Sequence, residues 1–133
     1  MKDSSLTKSI SYKDFKKEVL NDYKTIVISR EASLLGRKEV LSGKAKFGIF
    51  GDGKELPQVA MSKVFEKGDF RSGYYRDQTF MFSIKELSVE QFFAGLYANT
   101  NFDEEPMSGG RQMGSHFSTV LVDENGEFKD LPN

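Results

Sequence analysis

The sequence predicts a mainly α-helical chain with one or two short strands and no parallel sheet of its own. Three observations predict it. A long run of apolar residues near the N-terminus has helical spacing, capped helical segments follow it, and no stretch alternates for long enough to build a sheet. A chain of 133 residues sets the prior at one domain.

The elements follow in order. From Tyr12, apolar residues fall at Phe15, Val19, Tyr23, Ile26, Val27, Leu34 and Leu35, mostly in steps of three, four or seven. Ser11 is positioned to cap this helix, with Asp14 as the acid of a weak capping box and Ile10 and Phe15 as a staple. Gly43 is a plausible stop, giving one long helix over 11–42, although Gly36 interrupts the pattern. Residues 43–57 hold five Gly or Pro and read as a loop. Pro57 fits a first helical turn, and Val59, Met61, Val64 and Phe65 extend a second helix that Gly68 ends. Residues 70–75 read as a short strand. Asp77 is positioned to cap a short helix with Phe80, Met81 and Phe82. Ser88-Val89-Glu90-Gln91 is a capping box with Leu87 and Phe92 as its staple, opening a helix over 89–98. Residues 99–118 are polar and glycine-rich with no periodicity, and within them 103–118, with few apolar anchors, are expected to be mobile and to open locally at low cost. Asn125-Gly126 suggests a hairpin within 119–133. The hydrophobic faces find no obvious partner within the chain. The whole of 1–133 therefore reads as a single incomplete domain, with a helical region over 43–98.

Composition excludes several classes. The net charge of −1 argues against a dedicated nucleic-acid binder. With no Cys and one His, thiolate metal sites, disulfide frameworks and His-rich clusters are out. No apolar run approaches the roughly 18–20 residues of a membrane span, and residues 1–5 lack the apolar core of a signal peptide, so a cytoplasmic setting is expected. Charge is uneven. Residues 1–54 carry 12 Lys/Arg against 7 Asp/Glu, and residues 55–133 carry 7 against 13. This reads as a solvated helix face followed by an acidic loop, or else as a polar subunit interface or a site for an anionic ligand at the first segment.

Three segments could carry chemistry. Gly51-Asp52-Gly53 looks like the start of a metal-diphosphate motif but lacks its downstream Asn pair, so it reads as a glycine turn. In Gly73-Tyr74-Tyr75-Arg76-Asp77-Gln78, Arg76 precedes a helix start and offers a fork of donors suited to phosphate, and Tyr75 adds a hydroxyl and an aromatic wall. The alternative is a surface Arg76 paired with Asp69 or Asp77. In Ser108-Gly109-Gly110-Arg111-Gln112-Met113-Gly114-Ser115-His116, the glycines permit close backbone approach and His116 could carry a proton. The Asp103-Glu104-Glu105 run reads as a solvated turn.

Taken in order, these segments resemble the alpha subunit of thiamine diphosphate-dependent 2-oxo acid dehydrogenases over roughly residues 44–117. The likeness is closest to a bacterial branch with fused alpha and beta halves. Residues 47–55 resemble the family's approach to its second helix, Tyr75-Arg76 the pair that binds the cofactor diphosphate, and Gly110-Arg111-Gln112-Met113 with His116 the branched-chain form of its glycine-rich loop. The resemblance implies the N-terminal piece of an α/β thiamine diphosphate-binding fold, with the parallel sheet largely missing. It implies thiamine diphosphate and magnesium in the full-length enzyme, neither bound by this piece alone. The catalytic candidate is His116, the cofactor-binding candidates are Tyr75 and Arg76, and no metal ligand is expected within the sequence. Pyruvate-type members carry a His two residues after the position of Phe47. Ile49 stands there, and with Tyr74 it implies an apolar, branched-chain-like substrate pocket. The implied partners are the remainder of the alpha and beta halves, a lipoyl-bearing acyltransferase component and further copies of the same chain. The contrasting reading is a small non-catalytic helical module that docks through the helix at 11–42.

Overall fold

The structure, a computed structural model, describes residues 10–117 and 122–130. Its elements are α1 (Tyr12–Leu41), α2 (Glu55–Ser62), α3 (Gln78–Ser83) and α4 (Val89–Leu96). The mainly helical reading holds. No sheet forms among the described residues, and the only pairing of extended backbone is an antiparallel bridge between Val122 and Phe128. That bridge closes a turn in which Asp123 N–H donates to the Glu127 carbonyl at 2.8 Å and Gly126 takes a positive φ of 81°. Residues 118–121, the first half of the expected hairpin, lie outside the described residues.

Helix α1 starts where its cap predicts. The Ser11 hydroxyl accepts from the Asp14 amide at 3.1 Å and donates to the Asp14 carboxylate at 2.6 Å. The helix then runs unbroken through Gly36. It does not pack through its apolar stripe. The buried positions are Ser29, Ala32, Ser33, Gly36 and Glu39, a face of small and polar side chains. Small residues let α3 come close enough for hydroxyl and amide contacts. Ser29 Oγ and Thr79 Oγ1 share a hydrogen bond of 2.6 Å, and Gln78 Nε2 donates to Ser33 Oγ. Gly36 receives the edge of the Phe50 ring, which a Cβ at that position would overlap. A glycine inside a helix costs about 1 kcal/mol relative to alanine, and here the space it leaves is filled by an aromatic side chain.

The core joins α3 and α4 to the inward face of α1, where Ala32 belongs to it. Phe80 is fully buried, and Met81, Ile84, Leu87, Phe92, Leu96, Phe50 and Ala45 complete the cluster. Helix α4 enters it through a complete capping box: Ser88 Oγ accepts from Gln91 N–H at 3.1 Å and Gln91 Oε1 accepts from Ser88 N–H at 2.9 Å. Both staple residues, Leu87 and Phe92, are buried, so this start is fixed by hydrogen bonds and by packing together.

Two expected elements differ. Helix α2 begins at Glu55 and stops at Ser62, so Val64 and Phe65 fall beyond it. Phe65 still meets Phe80 edge to face at 5.1 Å, which is why its apolar signal extended the pattern. Residues 70–75 are not a strand. The Arg71 guanidinium folds back against Gly73, the Asp77 carboxylate accepts from Tyr74 N–H at 2.8 Å, and among the described residues no neighbouring strand pairs with it. The segment is a side-chain-braced turn.

Candidate functional site

The turn at residues 71–78 is held from three sides. Asp77 Oδ2 also pairs with Arg71 at 2.8 Å, and the Arg71 guanidinium lies 5.4 Å from the Phe80 ring centroid. Burial pushes the Arg71 pKa down, and the Asp77 carboxylate opposes that shift. From α2, Gln58 reaches across with both ends of its amide. Nε2 donates to the Arg76 carbonyl at 2.7 Å and Oε1 accepts from Phe80 N–H at 3.0 Å. Beneath the turn, a Cβ on Gly51 would stand 2.5 Å from the Arg76 carbonyl oxygen, so only glycine admits this approach. Gln78 is fully buried against α1, and its Oε1 has no partner among the described residues.

On this seat stands an aromatic cluster. Tyr74 and Tyr75 meet edge to face at 4.3 Å, Phe47 approaches Tyr75 at 6.3 Å, and His116 meets Tyr75 at 4.4 Å with its ring nearly perpendicular. His116 Nδ1 lies 3.0 Å from the Met113 carbonyl, which can only accept. The proton of a neutral ring is therefore assigned to Nδ1, leaving Nε2 as the acceptor. Arg76 is exposed and forms no ion pair among the described residues, because Arg71 takes Asp77 and the Asp69 carboxylate accepts from Glu66 N–H. Neither acid offered by the surface-pair alternative is engaged by Arg76. Asp77 occupies the N-cap position of α3 without a side-chain cap bond, and α3 has only six residues. The helix end therefore adds little to what the guanidinium itself supplies.

The glycine-rich loop has an anchor that the sequence did not advertise. Glu105 is not a solvated turn residue; it is 3% exposed. Its carboxylate accepts from the amides of Met107, Ser108 and Gly110 at 2.9–3.0 Å and from the Ser108 hydroxyl at 2.9 Å. Burial pushes the Glu105 carboxyl up, but the Gly110 and Ser108 donors outweigh it, so its pKa lies below the ordinary value. Gly110, at φ 73°, sits so close to Ala98 that a Cβ would stand 2.5 Å from the Ala98 oxygen. Ser115 carries a positive φ of 69°, uncommon for a residue with a Cβ, and the next residue is the His116 that meets Tyr75.

Of the sequence-derived site residues, Tyr74, Tyr75 and His116 come together, with Arg76 adjacent in the chain. Ile49 is half-buried in the segment that brings Phe47 to Tyr75. Gln58, Arg71 and Glu105 were missed, since each acts through hydrogen bonds to backbone or to another turn residue. The Gly51-Asp52-Gly53 turn is engaged internally. Asp52 pairs with Arg37, and Gly53 N–H donates to the Glu55 carboxylate at 3.0 Å. Among the described residues, no three His, Cys, Asp or Glu side chains group to hold a metal ion, and no helix is long and apolar enough to cross a membrane.

The model of the dehydrogenase E1 component family matches residues 16–128, most of the chain. The chain belongs to this family, whose members are thiamine diphosphate-dependent components of 2-oxo acid dehydrogenases. No curated protein and no solved structure matches it significantly.

Proposed function

We propose that the chain supplies the diphosphate-facing part of a thiamine diphosphate site in the decarboxylating E1 component of a 2-oxo acid dehydrogenase complex. The observation that carries this reading is the meeting of two distant segments. Tyr75 and His116 lie ring to ring at 4.4 Å, and the neighbouring Arg76 forms no ion pair among the described residues. The donor set fits a diphosphate. Arg76 offers bidentate hydrogen bonds and stays charged at working pH, and Tyr75 adds a hydroxyl. When bound, thiamine diphosphate supplies the electron sink for loss of carbon dioxide. The residues of this chain bind and orient. Arg76 and Tyr75 hold phosphate oxygens, and His116 presents Nε2 as a proton acceptor toward the substrate side. Ile49 and Tyr74 wall an apolar pocket suited to a branched aliphatic 2-oxo acid.

The described residues hold no cluster of side chains fit for magnesium. By itself the 133-residue chain neither binds the cofactor nor turns over; its residues position the cofactor within the assembled enzyme. The remainder of the alpha and beta halves completes the site, and a lipoyl-bearing acyltransferase receives the product. Among the described residues neither Asp69 nor Asp77 pairs with Arg76, and a purely non-catalytic module has no use for the Tyr75–His116 meeting.

The test is a thiamine diphosphate titration of the assembled E1 enzyme with and without Arg76→Ala. Charge-assisted hydrogen bonds contribute roughly 1.5–3 kcal/mol, so affinity should fall about 10- to 150-fold. Equal dissociation constants would remove the residue-level support for this reading.

A further inference from the structure

Helix α1 leaves a long face uncovered, opposite the small-residue face that meets the body. Leu20, Val27, Leu34 and Leu41 are 55%, 38%, 45% and 81% exposed. They are spaced by sevens, so on a helix they form one seam that drifts slowly round the cylinder. Tyr23, 65% exposed, stands beside the seam. The charged residues on this side are almost all basic: Lys16, Lys24, Arg30, Arg37 and Lys38, against Glu31 alone. Among the described residues, Lys16, Lys24 and Lys38 form no ion pair. Arg30 spends two of its donors on Glu55, leaving the rest of its fork free.

Chemistry selects the occupant. A contiguous apolar strip of this length marks an interaction surface. Seven-residue spacing is the geometry that a second helix reads, wrapped left-handed along the first. A second copy docked through the same face would bring lysine against lysine and arginine against arginine across a two-fold axis. A lipid surface offers no row of side chains for leucines spaced by sevens to interlock with. We infer that the α1 stripe is the docking surface for an acidic amphipathic helix of a partner protein. Leu20, Val27, Leu34 and Leu41 pack into the partner's apolar seam, and Lys16, Lys24, Lys38 and the free donors of Arg30 and Arg37 face its carboxylates. This inference does not rest on the cofactor reading.

The probe is a labelled synthetic peptide with leucine at both core positions of each heptad and glutamate at the flanks, titrated into the 133-residue chain by fluorescence anisotropy. A twin peptide carries lysine for glutamate. Vesicles of phosphatidylglycerol with phosphatidylcholine, and sedimentation of the chain alone, cover the other occupants. The glutamate peptide should bind saturably, weaken as salt is raised, and exceed the lysine twin by about tenfold or more. The exposed double variant Val27→Gln/Leu34→Gln, with helicity checked by circular dichroism, should weaken binding by about tenfold or more, as loss of two buried aliphatic contacts requires. The triple variant Lys16→Glu/Lys24→Glu/Lys38→Glu should reverse the preference between the peptides. No binding of the glutamate peptide, equal binding of the twin, or indifference to the glutamine substitutions overturns the proposal. So does self-association or vesicle binding that depends on Val27 and Leu34 and exceeds peptide binding.

Discussion

Glu55 shows how much one carboxylate can organise. It is 3% exposed, forms a fork-to-fork pair with Arg30 at 2.6 and 2.8 Å, and accepts the Gly53 amide at the start of α2. The Arg30 hydrogen bonds hold its pKa down to about 2 from an ordinary 4.5. A depressed carboxyl stabilises the fold above its unfolded value, and that contribution is lost as pH falls toward the folded value. Glu55→Gln should therefore destabilise the chain at about pH 7, and the difference from wild type should shrink between roughly 4.5 and 2. Urea midpoints measured across that window would show it, and a difference independent of pH would contradict it. Residue roles were legible in the sequence where chemistry is local, as for Ser11 and Ser88 at helix starts. It was not legible for Glu55, Gln58 or Glu105, whose partners lie on other elements or in turns that composition does not specify.

At the scale of elements, α1 and the 99–118 loop diverge from what periodicity suggests. Apolar spacing found α1 but not its inward face, because small residues can pack a helix closely without registering as hydrophobic. Gly36→Ala tests this. Alanine would gain about 1 kcal/mol of helix propensity. Displacing the Phe50 ring, itself wedged between Gly36 and Gly48, should cost about 1–3 kcal/mol. Net destabilisation is expected, and in a Phe50→Leu background the same change should become neutral or stabilising. Denaturant unfolding of the double-mutant cycle measures the coupling. The loop carries its own anchor, which revises the expectation that it opens cheaply throughout. Glu105 should make the Gly110 amide exchange slowly, whereas Gly114, outside that set of donors, should exchange fast. Glu105→Ala should bring Gly110 to the rate of Gly114. An unchanged Gly110 rate would show that the carboxylate does not hold the loop.

For the whole molecule, the helical class, the order of the four helices and the family were readable before any coordinates. The motifs at Tyr75-Arg76 and Gly110-Arg111-Gln112-Met113 lie within the residues that the family model matches. What sequence could not supply was the way distant pieces meet. The contact of Tyr75 with His116 depends on the Gln58 bridge, the Gly51 approach and the backbone turn at Ser115, three features spread over three segments. Family likeness pointed to the residues, and packing explains why they share one place.

The small, polar inward face of α1 also has a calorimetric consequence. Heat capacity rises on unfolding mainly because apolar surface becomes hydrated, typically by about 12–15 cal/mol/K per residue. In this chain the longest helix buries serine, alanine, glycine and glutamate and already presents its leucines and aromatics to water. Melting α1 therefore hydrates little new apolar surface. The measured heat-capacity increment should fall below the per-residue norm, giving a broad, shallow dependence of stability on temperature. Once the leucine seam is covered, the increment should rise toward that norm. Differential scanning calorimetry would register the difference as a steeper post-transition step, and an increment already at the norm for the uncovered chain would contradict this account of how α1 is held.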